Sequence, residues 1–176
     1  MYNFEEFLKG GNLRSLGRSS QVVDLIDSQE HFDDLFKYLF HEDRTVVMRT
    51  GDVIEKITLK NPGYLQSHSR ELLDLSRKTT YIELKWHLAQ LLTRLSLSET
   101  EFIAVWDLLT RWTLDIQESR IVRVNALQGL FDLLPKHEEL IQDFNLTMAE
   151  LETEPIPSLR ARIRILKSKL AKKPLP

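Results

Sequence analysis

The chain contains no cysteine. Disulfides, thiolate nucleophiles, iron–sulfur clusters and cysteine-ligated zinc are thereby excluded. Glycine and proline are scarce, six of each in 176 residues, too few for a disordered or collagen-like chain. No run of about 18 apolar residues is present to span a bilayer. The opening residues, Met1-Tyr2-Asn3-Phe4-Glu5-Glu6, are acidic and lack the basic and apolar regions of a signal peptide. These absences predict a cytoplasmic protein with no membrane partner. Acidic residues stop at Glu154, and the stretch beyond it carries +7 while the rest carries −9. Such a basic end either touches an anion or keeps a terminal helix soluble. The net charge of −2 argues against nucleic-acid affinity across the whole chain. Hydrophobic content of 42% and charged content of 28% are ordinary for a folded chain, and the length suits one domain over residues 1–176.

What is present is a repeat. Val46-Val47-Met48-Arg49, Leu84-Lys85-Trp86-His87, Val122-Arg123-Val124-Asn125 and Leu159-Arg160-Ala161-Arg162 occupy equivalent places, with first residues 38, 38 and 37 apart. A fixed period in this range marks a stacked solenoid of helix pairs. Each segment opens a helical stripe. Val46, Thr50, Val53, Ile54 and Ile57 share one helix face, and Leu84, Leu88, Leu91, Leu92 and Leu95 repeat it. Val122, Ala126, Gly129, Leu130, Leu133 and Leu134 repeat it again, then Leu159, Ile163, Leu166 and Leu170. These are the second, or B, helices of the pairs.

The partner, or A, helices lie between them. One holds Phe32, Leu35, Phe36, Leu39 and Phe40, and the next runs from about Pro62 to Arg77 with Leu65, Leu72 and Leu73. The third holds Phe102, Val105, Trp106 and Leu109; the fourth holds Leu140, Ile141, Phe144, Met148 and Leu151. Ser98 with Glu101 predicts a capping box, flanked by Leu97 and Phe102 as a hydrophobic staple. Asn61-Pro62 predicts an N-cap and first helical residue. Residues 1–29 are less regular and read as a cap, with Ser19 or Ser20 starting a helix that holds Val22 and Val23 and with Leu13 and Leu16 nearby. Residues 30–171 hold the repeats and 172–176 a tail. No long stretch alternates with period two, so the fold class is all-α, an α-α superhelix of about four helix pairs.

The pattern resembles the HEAT-repeat family of helical solenoids, on Asp43…Val46…Met48-Arg49 and Glu118…Val122-Arg123…Ala126-Leu127. It is also similar to small bacterial HEAT-like proteins. The resemblance implies an acidic residue in each turn and a basic residue early in each B helix, a place held by Lys85, Arg123 and Arg160. At the first of the four segments Val47 takes that place, Arg49 follows two residues later, and Gly51 replaces the usual alanine. HEAT and armadillo-like classes both remain open.

Two columns are candidates for function. Lys85, Arg123 and Arg160 either grip acidic groups of a partner or form a structural ladder to turn carboxylates such as Asp43 and Glu118; the ladder also explains why they track the repeat. Met48, Trp86, Val124 and Ala161 stand about 200° from the first core residue of their helices. In a HEAT-like stack the B helices line the concave surface. There Met48, Trp86 and Val124 would give an apolar strip, rimmed by Arg49, His87, Gln90, Arg94 and Asn125, with Arg162 in the same column as Arg49 and His87. The competing reading is that neighbouring helices cover these side chains. The pattern predicts a non-catalytic scaffold whose partner is another protein, with no cofactor and no metal. A tryptophan beside Arg and His also suits a nucleobase, as in the HEAT-like alkylpurine DNA glycosylases that the surface resembles, although no catalytic carboxylate stands out. A module like the HEAT-like lyases that attach bilin pigments is a third reading.

Overall fold

The computed structural model describes residues 3–10 and 18–172. Leu13, Leu16, Gly11 and Gly17, and the tail from 173 onward, lie outside the described residues. Among the described residues there are ten α-helices and no strand. The chain divides into two compact units, Met1–Ser96 and Leu97–Pro176.

The first unit is built around one long helix. Its elements are α1 (Glu5–Leu8), α2 (Ser19–Leu25), α3 (Gln29–Phe36), α4 (Arg44–Lys60), α5 (Ser69–Lys78) and α6 (Ile82–Leu91). Short 3-10 turns extend α3 through Lys37–Phe40, precede α5 at Pro62–His68 and end α6 at Leu92–Arg94. α4 packs against α1, α2, α3, α6 and the 3-10 turn at Pro62–His68. Its whole predicted stripe of Val46, Thr50, Val53, Ile54 and Ile57 is buried. Asp43 starts it: the carboxylate accepts from the Thr45 amide at 2.8 Å, satisfying an end donor of the helix.

The second unit contains α7 (Glu99–Leu114), α8 (Arg120–Leu133), α9 (Ile141–Glu152) and α10 (Pro157–Lys172). α7 packs on α8 and α9, and α10 packs on both α8 and α9. The core is the predicted one: Phe102, Val105, Leu109, Val122, Leu130 and Phe144 are all buried. The capping box forms as expected, with the Glu101 amide donating to Ser98 Oγ and the Ser98 amide to Glu101 Oε2 at 2.9 Å.

Two local expectations change. Asn61 makes no side-chain cap. It already closes α4, its amide donating to Ile57 O at 3.0 Å, and the chain passes directly into the 3-10 turn opened by Pro62. Ser19 starts α2, the helix that holds Val22 and Val23, as expected, and its buried hydroxyl has no hydrogen-bond partner. Phe40 is 54% exposed although it belongs to the predicted stripe. The helix tightens to 3-10 after Phe36, so each later residue turns about 120° and not about 100°, which swings Phe40 out of line.

Candidate functional site

The candidate residues separate by burial. Met48 and Arg49 on α4 and His87 on α6 are buried, so these three leave the proposed contact surface. The cause is the position of α4. It is walled by neighbours on several sides, so a residue turned away from its main stripe still meets another helix. Trp86, Gln90 and Arg94 in the first unit, and Val124 and Asn125 in the second, stay partly exposed.

Arg49 is fully buried, and Nη1 donates to Leu8 O at 2.7 Å and to Lys9 O at 3.0 Å. A buried guanidinium thus holds the carbonyl end of α1. His87 sits against Gly51: a Cβ at position 51 would lie 3.1 Å from the imidazole Cδ2. Its Nδ1 lies 2.5 Å from Glu55 Oε2. The departure from alanine at position 51 therefore makes room for a histidine of the next B helix. Arg94 closes the same region, with Nη1 donating to Glu55 O and Thr58 Oγ1, each at 2.7 Å. Gln66 Nε2 then donates to Arg94 O at 3.2 Å. Arg94 is thus a staple between the end of α6 and the C-terminal half of α4.

Trp86 lies edge-on to His87, with ring centroids 5.4 Å apart at 86°. Its ring remains partly open, and its Nε1 is buried with no hydrogen-bond partner. A buried, unpaired N–H costs on the order of 1–3 kcal/mol. Gln90 stands one helical turn beyond it. In the second unit Asn125 Nδ2 turns back to Ile121 O at 2.8 Å, and Arg162 Nη1 donates to Gln128 Oε1 at 2.5 Å.

The basic column is divided. Lys85 is partly buried, and the neighbouring tie between α4 and α6 is made by Arg44, whose Nη2 meets Glu83 Oε2 at 2.8 Å. Arg123 is 1% exposed and donates from Nη1 and Nη2 to the two Glu154 oxygens at 2.8 and 2.5 Å. Its Nε also donates to Thr113 O at 2.9 Å. Arg160 Nε donates to the Glu154 carbonyl at 2.9 Å. Arg123 thus engages the carboxylate of Glu154, in the turn before α10, and Asp43 serves as a helix cap. Arg123 reaches forward to the turn of the next repeat.

The hydrogen bond from Arg123 and its charge hold the Glu154 carboxyl below its ordinary value of 4.5, against the opposing effect of burial. A depressed carboxyl contributes stability that is present above the unfolded value and is lost as pH falls through the folded one. Glu154→Gln is expected to shrink the stability difference between neutral and acid pH in urea titrations. An unchanged difference contradicts this role.

Sequence reasoning missed one cluster. The His68 ring stacks on Phe36 at 3.8 Å, with Nε2 at 2.7 Å from Asp33 Oδ1 and Nδ1 at 2.8 Å from Glu71 Oε2. Burial pushes the Asp33 carboxyl up, but hydrogen bonds from Gln29 and His68 and the charge of His68 outweigh it and leave the group below its ordinary value. The only signal was Phe36 and His68 in adjacent A helices. Both ring nitrogens are taken, so the cluster reads as a structural clasp between α3 and the segment before α5. Among the described residues no group of three His, Asp or Glu side chains is arranged to hold a metal ion. Nor is any described helix long and apolar enough to cross a membrane.

A family model for the HEAT repeat domain matches residues 12–170. The chain belongs to the HEAT-repeat family. Comparison with curated proteins finds no match, and comparison with solved structures finds none either. The HEAT match covers nearly all of the repeats read from the period, and it makes the protein a helical repeat scaffold.

Proposed function

We propose that this HEAT-repeat protein is a non-catalytic scaffold that binds another protein through the exposed face of its B helices. Trp86 and Gln90 on α6, in the first unit, form the contact. The observation that carries this reading is Trp86. A large aromatic side chain stays partly exposed on α6 beside the partly exposed Lys85 and Gln90, and its buried Nε1 has no hydrogen-bond partner. Tryptophan is favoured at energetic centres of interfaces because it buries a large area while offering one directed hydrogen bond. His87 lies edge-on beneath the Trp86 ring.

The test is a photo-crosslinking residue placed at Gln90, with one placed at the buried Met48 as control. The scaffold reading expects one protein to be joined through position 90 and none through position 48. Equal labelling of many proteins from both positions contradicts it.

A second reading, nucleic-acid binding, is favoured by one observation. Arg164 and Lys172 are exposed on α10. Against it, Lys167 is paired with Glu152 and Arg162 with Gln128, and Lys169 lies 5.8 Å over the Phe131 ring. Nucleic-acid binding would weaken steeply with salt as counterions are released. It would also weaken in Arg162→Glu or Lys169→Glu. The scaffold reading expects neither effect.

A further inference from the structure

The Trp86 surface carries a charge of one sign. α6 presents Ile82, Trp86 and Gln90 at i, i+4 and i+8, so they form one row along the helix. Ile82 is 42% exposed and extends the apolar part of that row by one turn. α4 packs beside α6. The repeat sets Arg44 of α4 at the level of Ile82 and Asp52 at the level of Gln90, each 38 residues apart. Hydrogen bonds hold that register. Arg44 Nη2 donates to Glu83 Oε2 at 2.8 Å, and its guanidinium stands 5.2 Å over the Tyr81 ring. Further along, Glu55 Oε2 meets His87 Nδ1 at 2.5 Å, and Lys56 Nζ donates to Asp52 Oδ2 at 2.6 Å.

In both ion pairs the cation is the outer member. The Arg44 and Lys56 side chains are 43% and 39% exposed, while Glu83 and Asp52 are 20% and 17% exposed. Glu55 is 21% exposed and is taken by His87. An approaching molecule therefore meets Ile82 and Trp86 with a guanidinium and an ammonium beside them and the carboxylates beneath. Exposed ion pairs are worth about 0–1 kcal/mol, so these cations can turn to new acceptors at small cost.

We infer that the partner segment is acidic and amphipathic, an inference that rests on the Trp86 contact proposed above. An apolar side chain of the partner seats on Ile82 and Trp86, and Asp or Glu side chains flanking it meet Arg44 and Lys56. Complementary charge around an apolar anchor sets register and rejects partners of the wrong sign. A nucleic acid supplies the anions but no aliphatic group for Ile82, so the charges and the anchor together favour a peptide.

The test uses the full chain and two fluorescein-labelled, end-capped peptides with leucine at i and i+4. The other positions are glutamate in one peptide and lysine in the other. The glutamate peptide is expected to bind at least tenfold more tightly than the lysine peptide. It is expected to lose at least tenfold in Lys56→Glu and in Trp86→Ala, each with its fold checked by circular dichroism. Lys56→Gln and Arg44→Gln, each expected to weaken it by a smaller factor, serve if the charge reversal proves poorly folded. Equal affinity for the two peptides, or a preference for lysine, overturns the acidic assignment; if Trp86→Ala abolishes that binding, the contact at Trp86 still stands. Binding of the glutamate peptide that ignores Trp86→Ala overturns the contact itself. No binding of the glutamate peptide at millimolar concentration overturns the inference. So does an oligothymidine that displaces the bound peptide with equal affinity.

Discussion

Arg123→Ala is expected to destabilise the second unit by about 3 kcal/mol. The guanidinium is 1% exposed and makes three hydrogen bonds, two to Glu154 and one to Thr113 O. Breaking a buried pair by deleting one partner typically costs about 3–5 kcal/mol, because a charge is left without its counterpart. The Glu154 side chain is 22% exposed and recovers some hydration, which puts the effect at the low end. The Thr113 carbonyl also loses a donor. Arg123→Lys is expected to fall between alanine and wild type, since an ammonium cannot reproduce the two-pronged geometry. Urea unfolding followed by tryptophan fluorescence checks both. A midpoint for Arg123→Ala equal to wild type shows that the pair adds nothing to stability.

Gly51→Val is expected to cost about 2 kcal/mol, in the range typical of overpacked cores. Even a single Cβ meets the imidazole of His87 at 3.1 Å, and the added methyls go further into it. The ring cannot withdraw freely, because Nδ1 is tied to Glu55. Gly51→Ala separates two opposing effects. Alanine is about 1 kcal/mol better than glycine inside a helix, while the contact with His87 opposes it. The alanine is therefore expected to be close to neutral alone and to stabilise by about 1 kcal/mol in a His87→Ala background. Additivity of the two substitutions, measured as a double-mutant cycle, contradicts a contact between them.

The architecture was legible because one signal is written many times. A stripe such as Leu84, Leu88, Leu91, Leu92 and Leu95 needs only a helical period, and all five side chains are buried. Ser98 and Glu101 formed their box because both partners lie within one turn of chain. The candidate surface was less legible for a physical reason. A helical wheel identifies one buried face, but α4 has neighbours on several sides. Met48 and Arg49 followed the wheel and met helices the wheel does not contain. Arg49 was harder still, since its acceptors are the carbonyls of Leu8 and Lys9, and a backbone oxygen leaves no mark in the sequence. His87 did leave a mark. Gly51 interrupts a position where HEAT repeats favour alanine, and the missing methyl is the space the imidazole fills. Glu154 was readable in the same way, as the turn carboxylate of the repeat after Arg123, and a ladder to turn carboxylates was the expected role of that arginine.

The scaffold account rests most directly on Trp86, and one comparison tests it. Wild-type protein and Trp86→Ala, with its fold verified by circular dichroism and thermal melting, are used to capture partners from a nuclease-treated native lysate. The affinity of the captured protein for each is then titrated. The account predicts one protein held by the wild type and weakened at least 30-fold by the substitution, the equivalent of about 2 kcal/mol at an interface centre. A folded Trp86→Ala chain that binds the same protein with wild-type affinity contradicts it.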